Sequence, residues 1–199
     1  MVEFVDASPV LVWRFAAPML VVSSGPFGGG LGSRDWVLNA TVPLDYDRDD
    51  PDVHVRELAS SLGLTGSGTG LLTAVDVREV VTRTDEDVTV HATTGLGGMP
   101  IWAAAPSSVV EPPRVGTINV VAFLPVRLSD AAMVNAVATV AEAKAQALVE
   151  AGVSGTGTCT DAVVLACPAT GAAEAYGGPR SVVGSALARA THAAISSAL

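Results

Sequence analysis

The chain has 199 residues, of which 49% are hydrophobic and only 16% charged, with a net charge of −9. That balance excludes a disordered chain and describes one compact domain over 1–199 with a large buried fraction. The acidic excess excludes a nucleic-acid partner, because neutralising phosphates needs clustered Lys and Arg.

No apolar run reaches the roughly 18 residues that span a bilayer. The best stretch, 9–22, is interrupted by Arg14 and Pro18, and Glu3 and Asp6 stand where a secretory signal would be basic. The expectation is a cytoplasmic protein that does not enter a membrane. Cys159 and Cys167 fall in one extended stretch, where about 3.3 Å per residue holds them beyond disulfide reach. Both are expected to be small, buried, reduced side chains. No Cys-x-x-Cys or paired-histidine spacing occurs, so no zinc site is read; no metal and no cofactor are expected.

In chain order, 10–15 and 19–23 read as strands around Ala17-Pro18, and 25–32 as a glycine-rich loop. Residues 35–42 read as extended. A helix over 51–62 has Asp50 near its start and Gly63 as its stop. Segments 75–83 and 88–94 flank Thr84-Asp85-Glu86-Asp87 as a hairpin. Residues 117–124 form another apolar strand. Ser129 caps a long helix over 130–151 that stops at Gly152, 153–166 reads as loop then strand, and 181–199 as a final helix of small residues. Strands come early and the longer helices late. This favours an α+β fold with a mixed or antiparallel sheet covered by helices.

Several loops carry small polar residues. The loop from Ser23-Ser24 through Gly29-Gly30 can cradle an anion on backbone N–H groups, or serve as a turn. It lacks the Gly-Lys-Ser/Thr ending of a phosphate loop. Asn119 is suited equally to a ligand amide and to capping a turn, and Thr94-Gly95 ends a strand, where sites often lie. On the long helix, Val134, Val137, Ala141, Ala145 and Leu148 share one face. Lys144 lies within that stripe, about 20° from Val137, while Thr139, Glu142 and Gln146 face the other way. A lysine on a core stripe either snorkels to the surface or meets a buried carboxylate. Asp161, which leads into an apolar strand, is the natural partner. If the strand is regular there, Thr156, Thr158 and Thr160 share its other face. His54, His91 and His192 stand isolated and read as surface or core residues.

Taken in order, these segments resemble the adenosylcobinamide amidohydrolase family. The likeness runs through Ser23-Ser24, Gly28-Gly29-Gly30, Asn39, Thr94-Gly95-Leu96, Gly116-Thr117-Ile118-Asn119, Glu142-Ala143-Lys144 and Gly155-Thr156-Gly157-Thr158-x-Thr160-Asp161. It departs where Ala141 precedes Glu142 in place of threonine, and where Gly177-Gly178-Pro179-Arg180 lacks a threonine-bearing stretch. The resemblance implies hydrolysis of the amide joining aminopropanol to the corrin side chain of adenosylcobinamide, a step of cobalamin salvage. It marks Glu142, Lys144 and Asp161 as catalytic, with Glu142 a base for water. It marks Ser23, Ser24, Gly29, Gly30, Asn39, Thr94, Gly95, Asn119, Thr158 and Thr160 as contacts to a corrinoid. The cobalt belongs to the substrate. A corrinoid binder without catalysis and a hydrolase of another amide are the alternatives, and the reading is compatible with a homo-oligomer.

Overall fold

A computed structural model of the chain describes residues 1–98, 100–104 and 116–199. The strands are β1 (Val2–Val5), β2 (Ser8–Ser23), β3 (Gly30–Thr41), β4 (Gly68–Thr73), β5 (Val81–Asp85), β6 (Val88–Gly95), β7 (Thr117–Phe123) and β8 (Ala162–Pro168). The helices are α1 (Pro51–Ser61), α2 (Asp130–Glu150) and α3 (Val182–Ser196), with a 3-10 turn over Val77–Glu79. The strands form one mixed sheet ordered β4-β3-β2-β8-β7-β6-β5, with β1 paired to β2. The α+β expectation holds, and the sheet is mixed because two pairs, β3/β4 and β7/β8, are parallel.

Each parallel pair is joined through a helix, α1 in the first case and α2 in the second. A parallel connection must cross from one end of the sheet to the other, and a helix does this while covering the sheet. Each crossover returns the chain to the starting end of its second strand, and the Asn119 side chain of β7 reaches the Leu72 carbonyl near the end of β4. The Ser129 hydroxyl accepts the Ala132 N–H at 3.2 Å and caps α2, and the Ser181 hydroxyl accepts the Gly184 N–H at 3.1 Å and caps α3.

Alternate residues of β7 and β8 divide between two cores. Val120, Ala122, Leu165 and Cys167 pack with α2 and α3, while Val121, Val164 and Ala166 pack with Val21, Val37 and Leu71. A third cluster joins Val10, Val12, Trp36 and Leu38 to Val55 and Leu58 of α1.

The structure corrects several expectations. The first two strands are one strand, β2, whose register shifts between Arg14 and Met19 around Pro18. Strands β1 and β4 were not foreseen, and 75–80 is a turn rather than the start of β5. The buried face of α2 carries Ala132, Met133, Ala136, Thr139, Val140, Ala143, Ala147 and Leu148, whereas Val134 is 63% exposed and Ala141 is exposed. The face is turned by roughly a third of a revolution from the expected one. Alanine on every side leaves little contrast to read, and packing against α3 and β8 decides. Cys167 is buried, but Cys159 sits exposed in a turn before β8.

Gly28 has φ +63, and a Cβ there would lie 2.0 Å from the Gly68 carbonyl oxygen. Gly30 has φ +83 with open space around it. Gly30→Ala should therefore cost only the left-handed backbone penalty, about 1–2 kcal/mol. Gly28→Ala should lose more, since backbone must also move. Melting temperatures of the two variants check this order.

Candidate functional site

The turn from Gly155 to Asp161 is organised by one carboxylate. Asp161 Oδ1 accepts the Ile118 N–H at 2.9 Å and Oδ2 accepts the Thr158 N–H at 3.0 Å. The Lys144 ammonium pairs with Oδ2, and the side chains of Lys144 and Asp161 are 16% and 12% exposed. The single proton of the Thr158 hydroxyl is shared between Asp161 Oδ1 at 2.5 Å and the Gly116 carbonyl at 2.6 Å. Four donors thus fill the acceptor sites of the carboxylate. Gly157 permits the arrangement, because a Cβ there would lie 2.3 Å from Asp161 Oδ2 and 2.5 Å from Lys144 Nζ. The pairing of Lys144 with Asp161 is as expected. The placing of Thr158 on the opposite face from Asp161 is not, because this segment is a turn and β8 starts only at Ala162.

Thr160 donates to the Gly116 carbonyl at 2.9 Å, so the Thr117 hydroxyl, 2.8 Å away, donates to Thr160. Ser24 is fixed to the start of β8. Its N–H donates to the Val163 carbonyl at 3.0 Å, and its Oγ accepts the Val163 N–H at 2.9 Å. That bond uses a lone pair of Ser24 and leaves its proton for another partner.

Ser24, Thr160 and Asp161 line a cleft of about 570 Å³. Residues that the sequence reading did not single out complete it: Thr73 and Leu72 at the end of β4, and Val42, Tyr46 and Pro51 from the β3–α1 connection. Thr117 and Cys159 also line it. These residues come from both crossover ends, which no local pattern announces.

The remaining expected contacts lie around or below this cleft. The Ser23 hydroxyl accepts the Gly25 N–H at 3.0 Å and the Thr69 hydroxyl at 2.8 Å, and is buried. Asn119 Nδ2 donates to Asn39 Oδ1 at 2.9 Å and to the carbonyl of cleft-lining Leu72 at 3.0 Å, and Asn39 Nδ2 donates to Thr93 at 3.1 Å. Both amides are buried. Their hydrogen bonds tie the sheet to the cleft floor instead of opening onto it. Thr94 and Gly95 pair with Ile118 and Thr117 at the edge of the same region. Gly29 is packed against the Gly25 carbonyl, which a Cβ would approach to 2.8 Å, and Gly30 opens β3.

Glu142 is elsewhere. It is exposed and lines a second cleft, also about 570 Å³, with Gln146, Arg180, Arg189 and His192 between α2 and α3. Lys144 and Glu142 flank opposite edges of the buried face of α2, as their spacing of about 160° requires. Among the described residues, no group of three His, Cys, Asp or Glu side chains could hold a metal ion, and no helix is long and apolar enough to cross a membrane.

Removing one member of the Lys144–Asp161 pair strands the other. Lys144→Met and Asp161→Asn should each lower stability by about 3 kcal/mol, the low end for buried pairs because both keep some access to water. The double variant should lose clearly less than the sum, as coupled groups do. Chemical denaturation of the three variants measures the coupling, and strict additivity would show that the pair contributes nothing.

The family description Adenosylcobinamide amidohydrolase matches residues 2–199. A Methanosarcina mazei protein named Adenosylcobinamide amidohydrolase is 33% identical over 145 residues, covering 73% of this chain and 68% of that one. A Halobacterium salinarum protein of the same name is 33% identical over 196 residues, covering 94% and 84%. With a match that runs through β1 to α3 and includes every segment of the Asp161 turn, the chain belongs to the adenosylcobinamide amidohydrolase family.

Proposed function

We propose that this chain hydrolyses the amide between aminopropanol and the corrin side chain of adenosylcobinamide, for cobalamin salvage. Water adds across the C–N bond, giving adenosylcobyric acid and free aminopropanol. The observation that carries the reading is the cleft at the two crossover ends, with the hydroxyls of Ser24 and Thr160 on its wall and the Asp161 turn behind them. A volume of about 570 Å³ suits a drug-sized group. It accepts an amide side chain while the macrocycle stays outside.

Amide hydrolysis needs an attacking oxygen, donors for the oxyanion and a proton for the leaving amine. Ser24 has a proton not spent on Val163 and supplies it to the amide carbonyl oxygen as charge develops there. Thr160, oriented by Gly116 and Thr117, contacts the substrate beside it. Asp161 is a positioning residue in this scheme, because its acceptor sites are already filled. With Lys144 it holds the turn that presents Thr160. Glu142 opens onto the other cleft and takes no part in this one.

Incubation with adenosylcobinamide should release aminopropanol in equal amount with adenosylcobyric acid, both resolved by chromatography. Binding without products would leave a corrinoid-binding protein, and release from other amides alone would change the substrate. Ser24→Ala should lower kcat by about 10²-fold or more, the usual cost of one lost oxyanion donor. Glu142→Gln should turn over close to the parental rate, and a large loss there would move the chemistry to the α2–α3 cleft. Cys159→Ser should retain most activity, because attack by water needs no thiol. Loss of turnover with the fold intact would instead assign the attack to the Cys159 sulfur.

A further inference from the structure

The β3–α1 connection contributes an aromatic side chain to the cleft, and its surroundings hold that side chain in place. Tyr46 is half-buried and lines the cleft beside Val42 and Pro51. Its ring stacks on His54 of α1 with centroids 5.4 Å apart and planes 21° from parallel. Its hydroxyl is 3.0 Å from His54 Nδ1. The connection itself is clamped. Arg48 bonds both oxygens of Asp50, at 2.8 and 3.0 Å, and reaches Glu57 of α1 at 2.8 Å. The Tyr46 N–H closes a turn on the Pro43 carbonyl at 3.1 Å. An ordinary surface tyrosine is not fixed at its backbone, its ring and its hydroxyl together.

Burial pushes the Tyr46 phenol above its ordinary range, and burial, reinforced by Arg48, pushes His54 below its own. Both are neutral at pH 7. A neutral imidazole has one N–H, and when Nδ1 carries it, it donates to the tyrosine oxygen. The phenolic proton is then left for a partner in the cleft that Tyr46 lines. Set among Val42, Pro51 and Leu71, it suits a neutral acceptor, an amide carbonyl, better than an anion.

We propose that Tyr46, positioned by His54, is a substrate-binding residue that donates its phenolic proton to a carbonyl oxygen of the amide side chain entering the cleft. The ring edge packs against the aliphatic part of the same chain. The inference rests on the amidohydrolase reading for its substrate, and on the cleft geometry for its site. A donor used equally in ground and transition states changes KM and leaves kcat alone.

The test pairs binding with turnover. Equilibrium dialysis with cobinamide, followed by its visible absorbance, gives Kd, and steady-state hydrolysis of adenosylcobinamide gives kcat and KM. Tyr46→Phe keeps the stack and removes the donor. It should keep its melting temperature and weaken binding by about three- to tenfold, the value of one hydrogen bond, with kcat near the parental rate. His54→Leu should produce a similar loss, and His54→Asn, which restores an N–H donor at the Nδ1 position, should recover part of it. Unchanged Kd and KM in Tyr46→Phe, with parental binding and turnover present, would overturn the tyrosine proposal alone. Weakened binding in Tyr46→Phe when the parent binds but does not hydrolyse would retain Tyr46 and remove the enzymatic reading. A parent that neither binds nor hydrolyses overturns both.

Discussion

The Asp161 carboxylate joins three segments that lie far apart in the chain: α2 through Lys144, the first residues of β7 through Ile118, and its own turn through Thr158. A carboxylate this far removed from water is costly unless its lone pairs are filled. Here they are filled by four donors from those three segments. The turn is therefore held in one shape, and Gly157 is the residue that can pass between Asp161 and Lys144. This arrangement gives a polar network in place of a hydrophobic contact at the end of the sheet. It is a directional constraint where dispersion alone would leave freedom.

From this constraint follows the position of the cleft. Strands β7 and β8 are parallel, so α2 must return to the end where β8 begins. The second parallel pair, β3 and β4, brings α1 and the segment before it to β4. Hydrogen bonds stitch the two units across the middle. Asn119 of β7 reaches Asn39 of β3 and the Leu72 carbonyl of β4, and Ser24 of the loop after β2 reaches Val163 of β8. The hydroxyl-bearing wall and the wall with Tyr46 thus belong to separate crossovers. A rigid interior holds them at a fixed separation, as a site for one small polar group requires.

The two clefts differ in what surrounds them. That between α2 and α3 is lined by charged side chains, several already engaged: Arg189 with Asp85 and Glu86, and His192 with Glu150. The cleft at the crossover ends combines neutral hydroxyls and apolar side chains with one carboxylate, Asp161, whose charge is already met by Lys144. This contrast, more than size, separates them.

Much of this was legible along the chain. The cap at Ser129, the long helix and the strand before it follow from local signals that need no partner. The pairing of Lys144 with Asp161 was one of two readings open along the chain, although the apolar stripe that suggested it is not the buried face of α2. Other features depend on neighbours. Strand β4 reads poorly because it begins Gly68-Thr69-Gly70, yet a Cβ at Gly68 would lie 2.0 Å from the Trp36 ring and one at Gly70 2.3 Å from Val55. Those glycines exist for packing, and glycine weakens any strand signal. The buried face of α2 was illegible because alanine looks alike on every side, so contact with α3 sets the rotation. Tyr46 and His54 are eight residues apart in sequence, and nothing local marks them as a pair. The sequence by itself determined the class of fold, the starts of the long helices and a lysine that had to be either paired or solvated. Only tertiary structure decided which side chains share a cleft, because the end of β4, the β3–α1 connection and the starts of β7 and β8 meet across the folded sheet and pattern along a chain records no such distance.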